Sequence, residues 1–499
     1  VDRVTKAFST ASLIYLGGIR TPHEFSTDVT PLPSAYPTDG IHRDGMNLGG
    51  RPFALDLTRR EFVCGTRYGR VARLQMIDPL LHTNNDVNTF PVAPYVVPTM
   101  VELSGPSALP TPPVPDTSWF EIADTHNPTG PGMGGFLPWG DHILAAGTIY
   151  YDSNNDQRRS VIQSAWPPGP PASTYAPSRT AFHAVGSDPY QQGLVAGYFT
   201  PIPERHQAAL KGDVLMGNAS LPIISRGSAG PCATSFYGAD VATHDPVPTT
   251  LLVGYPNGHW MPDHPYGDVA PDDVYNEMTM ITGMSILGET LVFVGSHGYG
   301  PACYGNGTAD PALAGTIGAD GAIYCYDPTS AYKGCHAYPY RIQVWHYPVA
   351  DLAAVAAGEQ APWDLDPAWF ELVVPFCSPG MQINGCAFDP TTQRFYLNVY
   401  NADGYGLEPG PIIYVYAYDD GADPPDLIPP VLGDCEKTLA AVTLALGAEK
   451  QRHQETQAKL DTAIGQLAAI ETEAEVIAAS TAHILALTAD TPTVKKKRR

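Results

Sequence analysis

Two stretches of the sequence concentrate side chains able to do chemistry. Between Asn257 and Glu277 lie His259, Asp263, His264, Asp268, Asp272, Asp273 and Glu277. Imidazole nitrogen suits zinc, and carboxylate oxygen suits calcium. His259, Asp263, His264 and Asp268 are therefore the candidate ligands of a divalent cation, calcium or zinc. A solvated acidic loop is the plainer reading of the same residues. The second stretch, Ser296 to Tyr347, carries His297, Tyr299, His336, Tyr338, Tyr340 and Arg341 among glycines. Flat rings stack on a ligand while their polar tips orient it, so this set is a candidate face for a glycan or a protein ligand. Packing of the β core is the alternative. HExxH, GxSxG and GxxxxGK[ST] are absent. Gly130-Pro131-Gly132-Met133-Gly134-Gly135 fits GxGxxG in form, but it follows a polar, proline-containing loop where a phosphate cradle needs a strand. No catalytic residue is assigned.

The elements that must hold these residues are short. Apolar runs such as Phe62-Val63-Cys64-Gly65, Leu291-Val292-Phe293-Val294-Gly295 and Ile412 to Tyr418 are bounded by Gly, Pro, Asp or Asn, which is how strands read. Glycine and proline, 48 and 50 residues of 499, make up about a fifth of the chain, against a usual share of roughly 12%. Helical periodicity is confined, before Pro430, to a turn or two around Asp351 to Ala357. The net charge is −23, and only Lys6, Lys211 and Lys333 are lysines before Pro430, so no nucleic acid is expected on the β region. No apolar stretch is long enough to span a membrane as a helix.

One internal repeat is visible. Ala54-Leu55-Asp56-Leu57-Thr58-Arg59-Arg60-Glu61-Phe62 aligns without gaps on Ala387-Phe388-Asp389-Pro390-Thr391-Thr392-Gln393-Arg394-Phe395. Each unit is an apolar strand, an Asp-x-Thr turn and a second strand. Weaker units lie near Pro138 to Tyr151, Gly186 to Phe199, Ser235 to Tyr255 and Met284 to Gly298. The count predicts a β-propeller of about six blades, with a pair of β-sandwiches or a β-helix as alternatives.

Composition changes abruptly near Pro424 to Pro430. After it there is no aromatic residue, and between Asp434 and Asp490 there are 14 alanines. Leu439, Val442, Leu446, Leu460, Ile464, Leu467 and Ile470 recur at three- and four-residue spacing. The expected organisation is a β-propeller-like domain over 1–423 and a proline-rich linker over 424–433. A long helical segment over 434–490 and a basic tail over 491–499 follow. A helix of that length would be about 85 Å long and must bury its stripe, either as a coiled coil that makes a homo-oligomer or as a helical hairpin.

The eight cysteines form no CxxC pair and lean towards disulfides, with buried free thiols as the alternative. The segments HGYGPACYGNGTADPAL, GAIYCYDP, KGCHAYPYRIQVWHYPVADLAAV and GCAFDPTTQRFYL resemble a largely uncharacterised bacterial family with propeller-like repeats. The likeness is clearest over residues 283–400. It implies a propeller, export, and a disulfide between Cys303 and Cys325; Cys335 and Cys386 stand where the family has other residues. Together these readings predict a non-enzymatic structural or adhesive protein of a cell surface, an extracellular assembly or a phage virion. The second reading is a secreted carbohydrate-active enzyme with a carboxylate or metal site on one propeller face.

Overall fold

The computed structural model describes residues 8–22, 52–65, 71–81, 87–101, 132–148, 158–166, 182–188, 192, 195–218, 228, 230–256, 259, 274–375, 382–400, 402 and 410–419. The chain divides after Pro425, and all described residues belong to the first unit, Val1–Pro425.

That unit is a β-propeller. Among the described residues, five antiparallel sheets act as blades. Blade 1 is β2 (Phe53–Asp56), β3 (Glu61–Gly65), β4 (Val71–Gln75) and β5 (Tyr95–Val101). Blade 2 is β6 (Gly132–Trp139), β7 (His142–Thr148) and β8 (Val161–Ala165), extended by a bridge from Val161 to His183. Blade 3 is β9 (Phe199–Pro201), β10 (Val214–Met216), β11 (Ala233–Phe236) and β12 (Thr250–Val253). Blade 4 is β13 (Met280–Leu287), β14 (Thr290–Gly298), β18 (Tyr340–Pro348) and β19 (Ala368–Glu371). Blade 5 takes β20 (Ile383–Asp389), β21 (Arg394–Val399) and β22 (Ile412–Tyr418), and its outermost strand is β1 (Leu13–Arg20) from the other end of the unit.

The innermost strands close a ring. β2 touches β6, β6 touches β9, β9 touches β13, β13 touches β20, and β20 returns to β2. Each blade is thus buried on both faces, which is why its strands read as continuous apolar runs and not as alternating ones. Alternate residues serve opposite neighbours. In β14, Leu291 and Phe293 pack towards blade 3, while Val292 and Val294 pack towards blade 5. In β3, Phe62 and Cys64 face blade 5 while Val63 faces blade 2. Five core clusters result, one at each junction between blades.

Neighbouring inner segments approach one another closely. A Cβ on Gly135 of β6 would lie 2.0 Å from the Gly197 carbonyl oxygen, and one on Gly283 of β13 would lie 2.6 Å from the Cys386 amide nitrogen. Both glycines follow a register shift, between Met133 and Gly135 in β6 and between Ile281 and Gly283 in β13. A bulge of this kind bends the strand where the blades converge.

The repeat seen in the sequence is a pair of inner hairpins, β2–β3 and β20–β21. In each, the aspartate caps its own turn. Asp56 accepts from the Arg59 amide at 3.0 Å and Asp389 from the Thr391 amide at 2.9 Å. The Arg60 guanidinium then reaches Asp389 at 2.8 Å and links the two blades.

Two expectations need correction. The blades among the described residues number five and not about six, because the units near Gly186–Phe199 and Ser235–Tyr255 both belong to blade 3. The inner hairpin of that blade is split by a helix, α1 (Glu204–Leu210), which hides it from a search for strand–turn–strand units. The fold class is also mainly β without the long helix expected at its end. The described helices longer than a single turn are α1, of 7 residues, and α2 (Val349–Ala357), of 9. Residues 434–490 lie outside the described residues. The sequence itself weakens the long-helix reading, since Gly447 and Gly465 each cost about 1 kcal/mol against alanine and Gln451, His453 and Gln457 interrupt the apolar stripe. The helical turns expected near Asp351 are α2, which packs on α1. No helix among the described residues is long and apolar enough to cross a membrane.

Gly135→Ala should destabilise the propeller by about 1–3 kcal/mol through overpacking. Gly334→Ala, where no atom lies within 4 Å of the added carbon, should stay within about 0.5 kcal/mol of the parent. Chemical denaturation of both variants checks the pair.

Candidate functional site

Blade 4 carries an insertion between β14 and β18. It folds as a three-stranded sheet of its own, with β15 (Cys303–Thr308) central, parallel to β16 (Tyr324–Tyr326) and antiparallel to β17 (Lys333–His336). This small sheet has two unlike faces, set by the period-two alternation of strands. One face carries Cys303, Gly305 and Gly307 of β15, with Cys325 and His336 from its neighbours. Cys303 and Cys325 are joined by a disulfide, with Cα atoms 5.7 Å apart, as the family resemblance implied. Cross-linking residues 22 positions apart removes chain entropy worth about 3 kcal/mol from the unfolded state. Cys64, Cys232 and Cys386 are buried and Cys335 is half-buried, and none of the four is in a disulfide.

His336 is buried, and both its ring nitrogens face oxygen acceptors. Nδ1 lies 2.7 Å from Asp327 Oδ2, and Nε2 lies 3.0 Å from the Tyr332 carbonyl oxygen and 3.2 Å from that of Gly305. Such a setting favours the doubly protonated ring, and the hydrogen bond to Asp327 raises the His336 pKa above its ordinary value. Burial pushes the Asp327 carboxyl up, but the bonds from His336, Thr329 and Tyr340 outweigh it and hold its pKa below the ordinary value. The aspartate accepts from the Thr329 amide (2.9 Å) and hydroxyl (2.6 Å) as well as from the Tyr340 hydroxyl (3.0 Å). The Tyr340 oxygen in turn accepts the Ala337 amide at 3.0 Å. His336 and Tyr340, both predicted as ligand-binding, are thus drawn into one buried network that holds the insertion. The sequence reading missed its centre, Asp327. The signal was present, because Asp327-Pro328-Thr329 repeats the Asp-x-Thr turn of Asp389-Pro390-Thr391.

The other predicted residues gather on blade 4 itself. His297 is fully buried, pairs with Arg341 across β14 and β18, and has Nδ1 2.7 Å from the Thr279 hydroxyl. Its ring meets that of Tyr299 edge-on at 4.8 Å. The Arg341 guanidinium sits 4.7 Å over the other ring of this group, Tyr299, and is paired with Glu371 at 2.5 Å. The Tyr299 hydroxyl donates to Gln343 at 2.5 Å. Tyr338 is half-buried, 5.8 Å from the Tyr326 ring and 6.4 Å from that of Tyr340. Of the six, Arg341 is the one classed as exposed.

The second face of the insertion looks outward. Tyr304, Asn306 and Thr308 of β15 stand beside Tyr324 and Tyr326 of β16 and Lys333 of β17. Tyr304 is 64% exposed and Tyr326 44%. Leu313, Ile317, Ile323 and Tyr332 are exposed in the same insertion, so that it holds six of the twelve large apolar side chains exposed among the described residues. A concentration of that kind marks a contact surface more often than scattered exposure does.

Of the predicted metal ligands, His259 is exposed and stacks on Trp363 at 4.3 Å. Asp263, His264 and Asp268 lie outside the described residues. Among the described residues no group of three or more His, Cys, Asp or Glu side chains is placed to hold a metal ion. A cavity of about 170 Å³ lies on the ring axis, and among the described residues Asp56 is the one carboxylate in its wall. Its oxygens accept from Arg59 at 2.9 Å and from the Trp166 indole at 2.9 Å.

No family model matches the chain, and no curated protein matches it. Among solved structures it is similar to the Neurospora crassa Pan2 WD40 domain at 10% identity, over 82% of this chain and 97% of that one, with a TM-score of 0.27. So low a score adds nothing to the topology described above.

The His336–Asp327 pair sets a pH window for the insertion. The raised His336 pKa gives stability that is complete below its unfolded value near 6.5 and is lost as pH rises through the folded value. The lowered Asp327 pKa gives stability that is complete above 3.8 and is lost as pH falls through the folded value. The opening free energy of β15 amides, measured by hydrogen exchange, should therefore be greatest between pH 3.8 and 6.5. Asp327→Asn should flatten that profile and lower its maximum by about 1–3 kcal/mol.

Proposed function

We propose that this chain is a non-catalytic recognition protein of an extracellular or virion surface, which presents the outer face of the blade 4 insertion to a neutral glycan. The observation that carries the reading is the contrast between the insertion's two faces. One is fastened by the Cys303–Cys325 disulfide and the His336–Asp327–Tyr340 network. The other exposes Tyr304 and Tyr326 beside Asn306, Thr308 and Lys333. A sugar ring offers C–H groups to an aromatic face and hydroxyls to amide and hydroxyl partners, and a rigid platform loses little entropy on binding it. The disulfide is compatible with an oxidising location.

The enzyme reading gains no support from the axial cavity, where the aspartate in the described wall is already held by an arginine and an indole. Glycoside hydrolysis needs two carboxyl groups flanking the bond that breaks.

The double change Tyr304→Ser, Tyr326→Ser should leave the thermal unfolding of the propeller unchanged. It should weaken binding to an array of neutral glycans by about 5- to 150-fold, as two lost ring contacts at roughly 0.5–1.5 kcal/mol each imply. Binding that survives the double change at full strength would remove the insertion from the account.

A further inference from the structure

We propose that the cavity on the propeller axis is a second binding site, for a small uncharged molecule built on a single aromatic ring. Every blade contributes to its wall. Phe53 and Leu55 come from blade 1, Leu137 from blade 2, Phe199 from blade 3, Ser285 from blade 4 and Ala387 from blade 5. The site therefore exists only in the closed ring, and it is as rigid as the ring.

Size and chemistry together select the ligand class. The volume is about 170 Å³, slightly more than the roughly 150 Å³ at which an apolar protein cavity accepts benzene. A sugar ring with its hydroxyls would bury more polar groups than the described wall can satisfy. The wall is mainly aromatic and aliphatic, with hydroxyls at Thr58, Thr200 and Ser285. Its carboxylate, Asp56, is bonded to Arg59 and to Trp166, so it offers a ligand cation little, and a ligand anion would meet a carboxylate in a wall whose described residues include no cation. A neutral ring bearing one hydroxyl or amine fits both the volume and the wall. The rim, with exposed Thr58 and Gly140, lies at the turns that leave the inner strands, so entry is from that face of the propeller. Nothing in this argument depends on the glycan face of the insertion, which is a separate surface.

The test is calorimetric titration of the full chain with phenol and, separately, with phenylacetate as a charged probe of similar shape. Phenol is expected to bind one-to-one and at least about tenfold more tightly than phenylacetate, because burying an unpaired charge outweighs the added contact area. Ala387→Leu and Thr200→Leu, each checked by circular dichroism to be folded, fill part of the cavity and are expected to weaken phenol binding by about tenfold or more. Three results would each overturn the proposal. These are no phenol binding up to its solubility, equal affinity for phenylacetate, or undiminished phenol binding in a folded filled variant. The first and second need no variant, so a failure of both variants to fold leaves the proposal open to refutation.

Discussion

The propeller depends on closing five inner strands into a ring. A blade on its own buries neither face; in the ring, each strand supplies residues to two cores at once. Leu291 and Val292 are adjacent in sequence, yet they stabilise junctions on opposite sides of blade 4. Closure also fixes the distance between neighbours, and Gly135 and Gly283 stand where a side chain would collide with the next strand. Within blade 5 the two ends of the unit meet, with β1 paired to β22 from Leu13 to Arg20. Each of the other blades takes its strands from one continuous segment, so β1 is the element that clasps the two ends of the unit together.

The insertion on blade 4 obeys a different physics. It stands off the ring and shares little of its core, so its stability comes from other sources. A disulfide restricts the unfolded chain, and a buried imidazolium–carboxylate pair with a tyrosine hydroxyl fills the space that apolar packing fills elsewhere. An ion pair so enclosed is worth little unless its remaining hydrogen-bonding positions are used, and here Thr329, His336 and Tyr340 make four hydrogen bonds to the Asp327 carboxylate. With its inner face fastened, the insertion can leave Tyr304 and Tyr326 exposed on the outer face without losing its shape. That separation of a fastened side from a presented side is the basis of the recognition reading.

How far the sequence could be read follows from which signals are local. The inner hairpins β2–β3 and β20–β21 were legible because an Asp-x-Thr turn between two apolar runs is complete within nine residues. The hairpin of blade 3 was not, because α1 intervenes between its strands. The pattern Ile281-Thr-Gly283-Met284 of β13 and Ile383-Asn-Gly385-Cys386 of β20 is also local, and Val195-Ala-Gly197-Tyr198 repeats it just before β9, so it marks three of the five blades. It was overlooked because glycine inside a strand reads at first as a break. The site was less legible for a related reason. His297 and His336 stand out by residue type, but their burial depends on Thr279 and Asp327, which are near them only in the folded chain. Tyr304 and Tyr326 look like any other tyrosines in a tyrosine-rich sequence until strand register shows that they share a face.

Ring closure is most directly tested by native-state hydrogen exchange on a chain lacking residues 1–20, which removes β1 and nothing else of the described blades. If closure governs the fold, amides of β6 and β9, whose core clusters hold no residue of the deleted segment, lose protection together with those of β22. If β22 alone exchanges faster while β6 and β9 keep their full protection, the blades are stable without the closed ring and the account is wrong at its centre.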